Sequence, residues 1–290
     1  LNDSFRFDAY EAQVEPIKSS DLGRLHELTI SVFWPHRDSD LDMLMKLGHG
    51  YIAVDEIGRP LGSAMHFPMG DDFAVLGMMV TPPRLQAQGG GRFLLKRIMA
   101  DCEGRDLRLN ATRSGYRLYQ SVGFQHVKTV FQHQGIVSAP PAVDSIDGIE
   151  LSPITMDDRP AVKMMDQIAF GADRPAVIDA LLDISTGVVA SRAGKPCGIA
   201  LMRRFGKGYV IGPLIAESET LAVQMVADLL RQVPGHFVRL DTPCDGPLLT
   251  GFLTASGMTR HDQVTEMRIG GHMRPEEGLV MYGLAAHSLG

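Results

Sequence analysis

The chain interleaves unbroken apolar runs with amphipathic stretches. Phe73 to Val80 is apolar throughout, which predicts a strand buried on both faces. From Arg92 to Cys102, the residues Leu94, Leu95, Ile98, Met99 and Cys102 recur on one face at helical spacing. Asp106–Thr112 predicts another strand and Arg113–Val122 a short helix that Gly123-Phe124 closes. Ser39 and Asp40 stand before Leu41, Leu44 and Met45, the pattern of a capped helix. Leu279–Ala286 predicts a late apolar strand that could complete a sheet across domains. Strands and helices alternating in this way define an α/β (α+β) fold.

Between the strand at Phe73–Val80 and the helix at Arg92 lies Gln86-Ala87-Gln88-Gly89-Gly90-Gly91. A strand, a glycine turn and a helix form an arrangement that cradles phosphates. The first helical N–H groups are unpaired, the helix dipole favours an anion, and glycine lets the backbone approach closely. Two common phosphate loops are excluded. A nucleoside-triphosphate loop needs Lys-Ser or Lys-Thr after its last glycine, and Arg92-Phe93 follows here. A dinucleotide fingerprint needs a third glycine in the helix, and position 94 is Leu. From the loop alone, a ligand-free glycine connection stays open.

The next motif narrows the choice. Gln86, Gly89 and Gly91 match the Gln/Arg-x-x-Gly-x-Gly/Ala loop of the GNAT acetyltransferase superfamily, and Leu118-Tyr119-Gln120-Ser121-Val122-Gly123-Phe124 matches its Leu-Tyr-x-x-x-Gly-Phe helix end. The chain therefore resembles GNAT enzymes. The resemblance implies domains with a mixed, mostly antiparallel twisted sheet flanked by helices, and acetyl-CoA or another acyl-CoA as co-substrate. It implies a coenzyme site at Met79, Val80, Gln86, Ala87, Gln88, Gly89, Gly90, Gly91, Arg92, Asn110 and Ser114. It also implies that the strand ending at Val80 splays from the one at Leu107–Asn110, with Tyr119 as the acid that protonates the departing thiolate.

The chain is also written twice. Glu15-Pro16-Ile17 returns as Ser152-Pro153-Ile154, Gly58-Arg59-Pro60-Leu61-Gly62 as Gly194-Lys195-Pro196-Cys197-Gly198, Val75-Leu76-Gly77 as Val210-Ile211-Gly212, and Arg108-Leu109-Asn110 as Arg239-Leu240-Asp241. The offset drifts from 137 to 136, 135 and 131. The loss falls in the glycine loop, where the second copy reads Ala216-Glu217-Ser218-Glu219-Thr220. Carboxylates there would repel a diphosphate. Two domains are predicted, a catalytic one over 1–142 and a degenerate GNAT-like one over 143–290, joined by a proline- and alanine-containing linker at 137–148.

Bulk properties exclude several classes. The net charge of −6 comes with no basic run, which argues against nucleic acid or an acidic membrane as partner. No apolar stretch has transmembrane length, and Cys102, Cys197 and Cys244 have no metal or disulfide spacing. The expectation is a cytoplasmic, metal-free monomer or homodimer acting on a small-molecule amine.

The acceptor pocket and the base are less constrained. Trp34, His36 and Asp38 set an aromatic group beside carboxylates, which suits an organic cation, although the same segment also reads as a helix cap. The strand at Phe73–Val80 has no carboxylate to serve as base. His66 and Asp241 are candidates, and a histidine on a strand is also an ordinary core residue. Two other readings stay open: a non-catalytic acyl-CoA sensor, and a structural pseudo-repeat protein.

Overall fold

The computed structural model describes residues 4–7, 10–86 and 88–290. By spatial contact the chain divides into two compact units, 1–109 and 110–290.

The first unit opens with β1 (Ser4–Phe7) and β2 (Tyr10–Pro16), then α1 (Leu22–Ser31) and α2 (Asp38–Leu47). Next come β3 (His49–Val54), β4 (Pro60–Met69), β5 (Phe73–Val80), α3 (Gly90–Asp101) and the start of β6 (Asp106–Ala111). Strands β1 to β5 pair antiparallel in chain order, and β6 runs parallel to β5. The apolar run of β5 is buried as expected, and α3 presents Leu94, Leu95, Ile98 and Cys102 to the core.

The second unit contains α4 (Tyr116–Gln120), β7 (Gln125–Ile136), β8 (Ile149–Pro153), α5 (Arg159–Phe170) and α6 (Pro175–Leu182). It continues with β9 (Ser185–Arg192), β10 (Lys195–Phe205), β11 (Gly208–Ala216), α7 (Glu219–Leu230), β12 (Phe237–Thr242), α8 (Pro247–Ala255), β13 (Thr259–Ile269) and β14 (Val280–Gly283). The sequence repeat reappears as a repeat of elements: β2 to β7 match β8 to β13 one for one, with β1 and β14 left over.

The two units do not coincide with the two sequence copies. The repeat divides the chain near 142, but β7, the last strand of the first copy, pairs antiparallel with β12 on one side and β13 on the other. That pairing draws 110–142 into the second unit. The short helix is also shorter than 113–122, because Thr112 to Gly115 form a turn in which the Thr112 hydroxyl accepts the Gly115 N–H. The tail strand is built inside one unit: β14 pairs with β11 of its own copy and does not bridge two domains.

Candidate active site

Strand β5 carries a bulge. Ser63 pairs with Val80 and Met65 with Gly77, so Ala64 alone opposes Met78 and Met79. Met78 has φ 49°, a left-handed conformation that costs a β-strand methionine about 1–3 kcal/mol. The buried Ser63 hydroxyl holds it by donating to the Met78 carbonyl at 2.9 Å. The parallel register with β6 runs from Phe73↔Asp106 to Leu76↔Leu109 and ends there. Met79 and Val80 thus lie beyond a kink, past the last registered pair, where the resemblance places a groove.

After a single turn at Pro83–Leu85, the chain enters α3 through Gly89, at φ 91°. A side chain rarely adopts that conformation, so glycine is the natural residue for this entry. No side chain caps the helix, and its first turn contains no acidic residue. A Cβ on Gly89 would meet nothing within 4 Å among the described residues. Gln86 turns back to donate to the Thr81 carbonyl, Gln88 donates to the Arg84 carbonyl, and Arg92 is exposed. Ala87 lies outside the described residues. Among the described residues, a helix start without a side-chain cap beside an exposed arginine fits an anionic diphosphate.

The second copy keeps the kink and closes everything around it. Its bulge falls at Gly212–Pro213, opposite Leu201. The parallel register of β11 with β12 ends at Ile211↔Leu240, as in the first copy. There β14 enters, pairing Leu214 with Gly283, Ile215 with Met281 and Ala216 with Val280. Leu214 and Ile215 are the repeat counterparts of Met79 and Val80. The start of α7 is capped too: Ser218 accepts from Leu221 N, Glu219 accepts from Leu249 N at 2.8 Å, and Glu217 pairs with Arg192.

Tyr119 on α4 is 7 % exposed, its ring edge-on to Phe124 with centroids 6.0 Å apart. Gly115 leaves room for it, since a Cβ there would come within 2.9 Å of the Tyr119 ring. Burial pushes the phenol upward, so it is fully protonated at neutral pH. Ser114 is exposed and bonded to the Thr112 hydroxyl.

Asn110 donates its amide to the His287 carbonyl at 2.9 Å, and its own Oδ1 is buried with no partner among the described residues. Asp241 is 2 % exposed and gripped by the Arg239 guanidinium, with His287 Nε2 3.2 Å away. Desolvation works to raise its pKa, but Arg239, His287 and Arg203 outweigh it and hold the carboxylate low. No sequence pattern singles out His287, a lone histidine in a tail without a repeat counterpart.

The remaining candidates lie in the first unit. Trp34 and His36 face each other at 5.9 Å, and Asp38 bonds His26 at 2.8 Å. Phe33 beside them is 93 % exposed at φ 59°. Asp40 accepts from Arg37 N and from its guanidinium, so it caps α2. His66 is buried against the last turn of α3, with Nε2 3.7 Å from Asp101, and burial lowers its pKa. That turn is about 17 Å along the helix from the glycine loop.

Two family models, each described as an acetyltransferase (GNAT) domain, match residues 43–142 and 162–283. An uncharacterized N-acetyltransferase of Bacillus subtilis, YitH, is 24 % identical over 255 residues, spanning 84 % of this chain and 89 % of that one. Holothin acyltransferase from a Pseudoalteromonas species is 26 % identical over 204 residues, spanning 67 % and 68 %. The crystal structure of a putative acetyltransferase from Pyrococcus horikoshii superposes with a TM-score of 0.79 at 19 % identity, over 100 % of this chain and 99 % of that one. The fold and the two family matches define a tandem acyltransferase of a class that uses acyl-CoA. The chain belongs to the GNAT acetyltransferase superfamily, as an N-acetyltransferase with two GNAT domains.

Proposed function

We propose that the first copy, residues 1–142, binds acetyl-CoA and transfers its acetyl group to a small-molecule amine by direct attack, and that the second copy, 143–290, binds no coenzyme. One contrast carries this reading. Among the described residues, the first copy has a helix start without a side-chain cap and a kinked strand that runs past its last pair with β6, and in the second copy Ser218 caps the helix and β14 pairs with the strand end. The Gln86–Arg92 loop takes the diphosphate, with Asn110 and Ser114 as further contacts. Backbone N–H groups near Met79 and Val80 polarise the thioester carbonyl, worth most as negative charge grows on its oxygen. Holding amine and thioester together removes much of the entropic barrier. Tyr119, protonated at neutral pH, supplies the proton that the thiolate needs on leaving. The acceptor is drawn to Trp34, His36 and Asp38. A relative named for acylating holothin supports a small molecule over a protein acceptor. Titration calorimetry with acetyl-CoA tests the reading: one site per chain is expected, and two sites of similar affinity, or none, would overturn it.

A further inference from the structure

The bulge in β5 is held by a side chain from the neighbouring strand. Ser63 on β4 is fully buried, and its hydroxyl donates to the Met78 carbonyl at 2.9 Å. Its neighbour Gly62 lets β4 press against the end of β5, since a Cβ there would come within 3.0 Å of the Val80 carbonyl oxygen. Met78 occupies the left-handed position that a bulge of this kind usually gives to glycine, and its own side chain is buried. The gripped carbonyl fixes the next residue as well. The Met78 C=O and the Met79 N–H belong to one planar trans peptide group and point in opposite directions. A carbonyl drawn toward Ser63 therefore turns the Met79 N–H away from β4, to the side of β5 where pairing with β6 has stopped at Leu76↔Leu109. In the second copy the same positions are Ile199, Pro213 and Leu214. Ile199 has no hydroxyl to donate, and Leu214 pairs with Ala200 of β10 on one side and Gly283 of β14 on the other. Among the described residues, the copy with the hydroxyl grip is the one in which no added strand takes that edge.

We propose that Ser63 is a positioning residue for acyl transfer: by pinning the Met78 carbonyl it aims the Met79 N–H at the thioester oxygen. The role rests on the transferase reading above, which puts the thioester at the end of β5. As the neutral amine forms the C–N bond, the carbonyl π pair moves onto oxygen, and it returns when the C–S bond breaks with its pair on sulfur. The thiolate takes the Tyr119 proton as above, and the amine's extra proton passes through water to restore it. A donor fixed beforehand stabilises the oxygen most when its charge is greatest, and costs no rearrangement at that moment. Ser63 exchanges no proton in the step and, being sealed between strands, acts only through the Met78 peptide group.

The infrared carbonyl stretch of bound acetyl-CoA, labelled with ¹³C at its acetyl carbonyl, tests the role without an acceptor. The wild-type chain is expected to lower the stretch relative to free coenzyme, a readout independent of the folding of any variant. Ser63→Ala is expected to return most of that shift, with the Kd for acetyl-CoA within about threefold. Ser63→Thr keeps the hydroxyl, and Ser63→Val has the shape of threonine without it, so the threonine variant should retain the shift and the valine variant lose it. In thiol release with tyramine and spermidine as probe acceptors, Ser63→Ala and Ser63→Val are expected to lower kcat by roughly 10–10³-fold, with Ser63→Thr near wild type. An unshifted stretch in the wild-type chain, a shift that survives in Ser63→Ala, or equal losses in the threonine and valine variants would overturn the role while leaving the transferase reading standing. A wild-type chain that binds no acetyl-CoA overturns both.

Discussion

Gly89 offers a decisive perturbation, because conformation and charge can be changed there separately. Among the described residues a Cβ at this position meets nothing within 4 Å, so Gly89→Ala is expected to create no clash. At φ 91° the alanine still costs about 1 kcal/mol, shared by free and bound states. Its acetyl-CoA affinity should stay within a few-fold, with a Tm lower by about 2–4 °C. Gly89→Glu adds the same strain and places a carboxylate at the uncapped start of α3. At about 5 Å, repulsion between two unit charges is about 0.8 kcal/mol in water and about 3 kcal/mol at an effective dielectric of 20. Two phosphate charges then give about 2–6 kcal/mol, or roughly a 30-fold to 10⁴-fold weaker Kd. Calorimetry at two ionic strengths separates the terms, since salt screens the repulsion and narrows the gap between Glu and Ala. Equal affinities for Ala and Glu would place the diphosphate elsewhere. Replacing Glu217 and Glu219 by Gln should not create a second site, because β14 still fills the groove.

Tyr119→Phe should reduce kcat by roughly 10²–10⁴-fold in the thiol-release assay and leave acetyl-CoA binding nearly intact; an unchanged rate removes the phenol from the chemistry. The His287 imidazole is pushed down to about 4 by burial, below the unfolded value near 6.5. Its contribution to stability is therefore complete above pH 6.5 and declines as pH falls toward 4, by up to about 3 kcal/mol. Urea unfolding of wild type against His287→Gln across pH 4–7 should show a shallower slope in the variant, and parallel slopes would contradict the shift. Glu266 and Arg274 form an ion pair with each side chain 2 % exposed, so Glu266→Gln should cost about 3–5 kcal/mol by chemical denaturation. Glu266→Leu with Arg274→Met should recover much of that loss.

Local elements were legible because their signals are local. The β5 run and the face of α3 are set by burial period, and Gly89 declares its own left-handed φ. The tandem architecture was readable because both copies keep the same order of strands and turns. What escaped the sequence depends on pairing at a distance. Nothing in Gln125–Ile136 states that its partners are β12 and β13, because a strand's alternation encodes its faces and not its neighbours. The same holds for the tail. Val280–Gly283 reads as a strand, but its place beside Leu214 and Ile215 follows from a gap left by a bulge more than 60 residues earlier. His287 became visible only when that tail brought it to Asp241 and Asn110.

The placement of β7 bears on how the chain is made. During synthesis the first copy is complete when Gly123-Phe124 and β7 have emerged, yet both neighbours of β7 lie more than 100 residues further on. Until residue 242 has been translated, this 12-residue strand has neither neighbour, and until residue 269 one of its sides stays open. Such an edge is a template for pairing with another nascent chain. Folding in this protein is thus a late event with high contact order, expected to be slow and to benefit from a holding chaperone. Fragments cut at the linker inherit the same exposed strand for good.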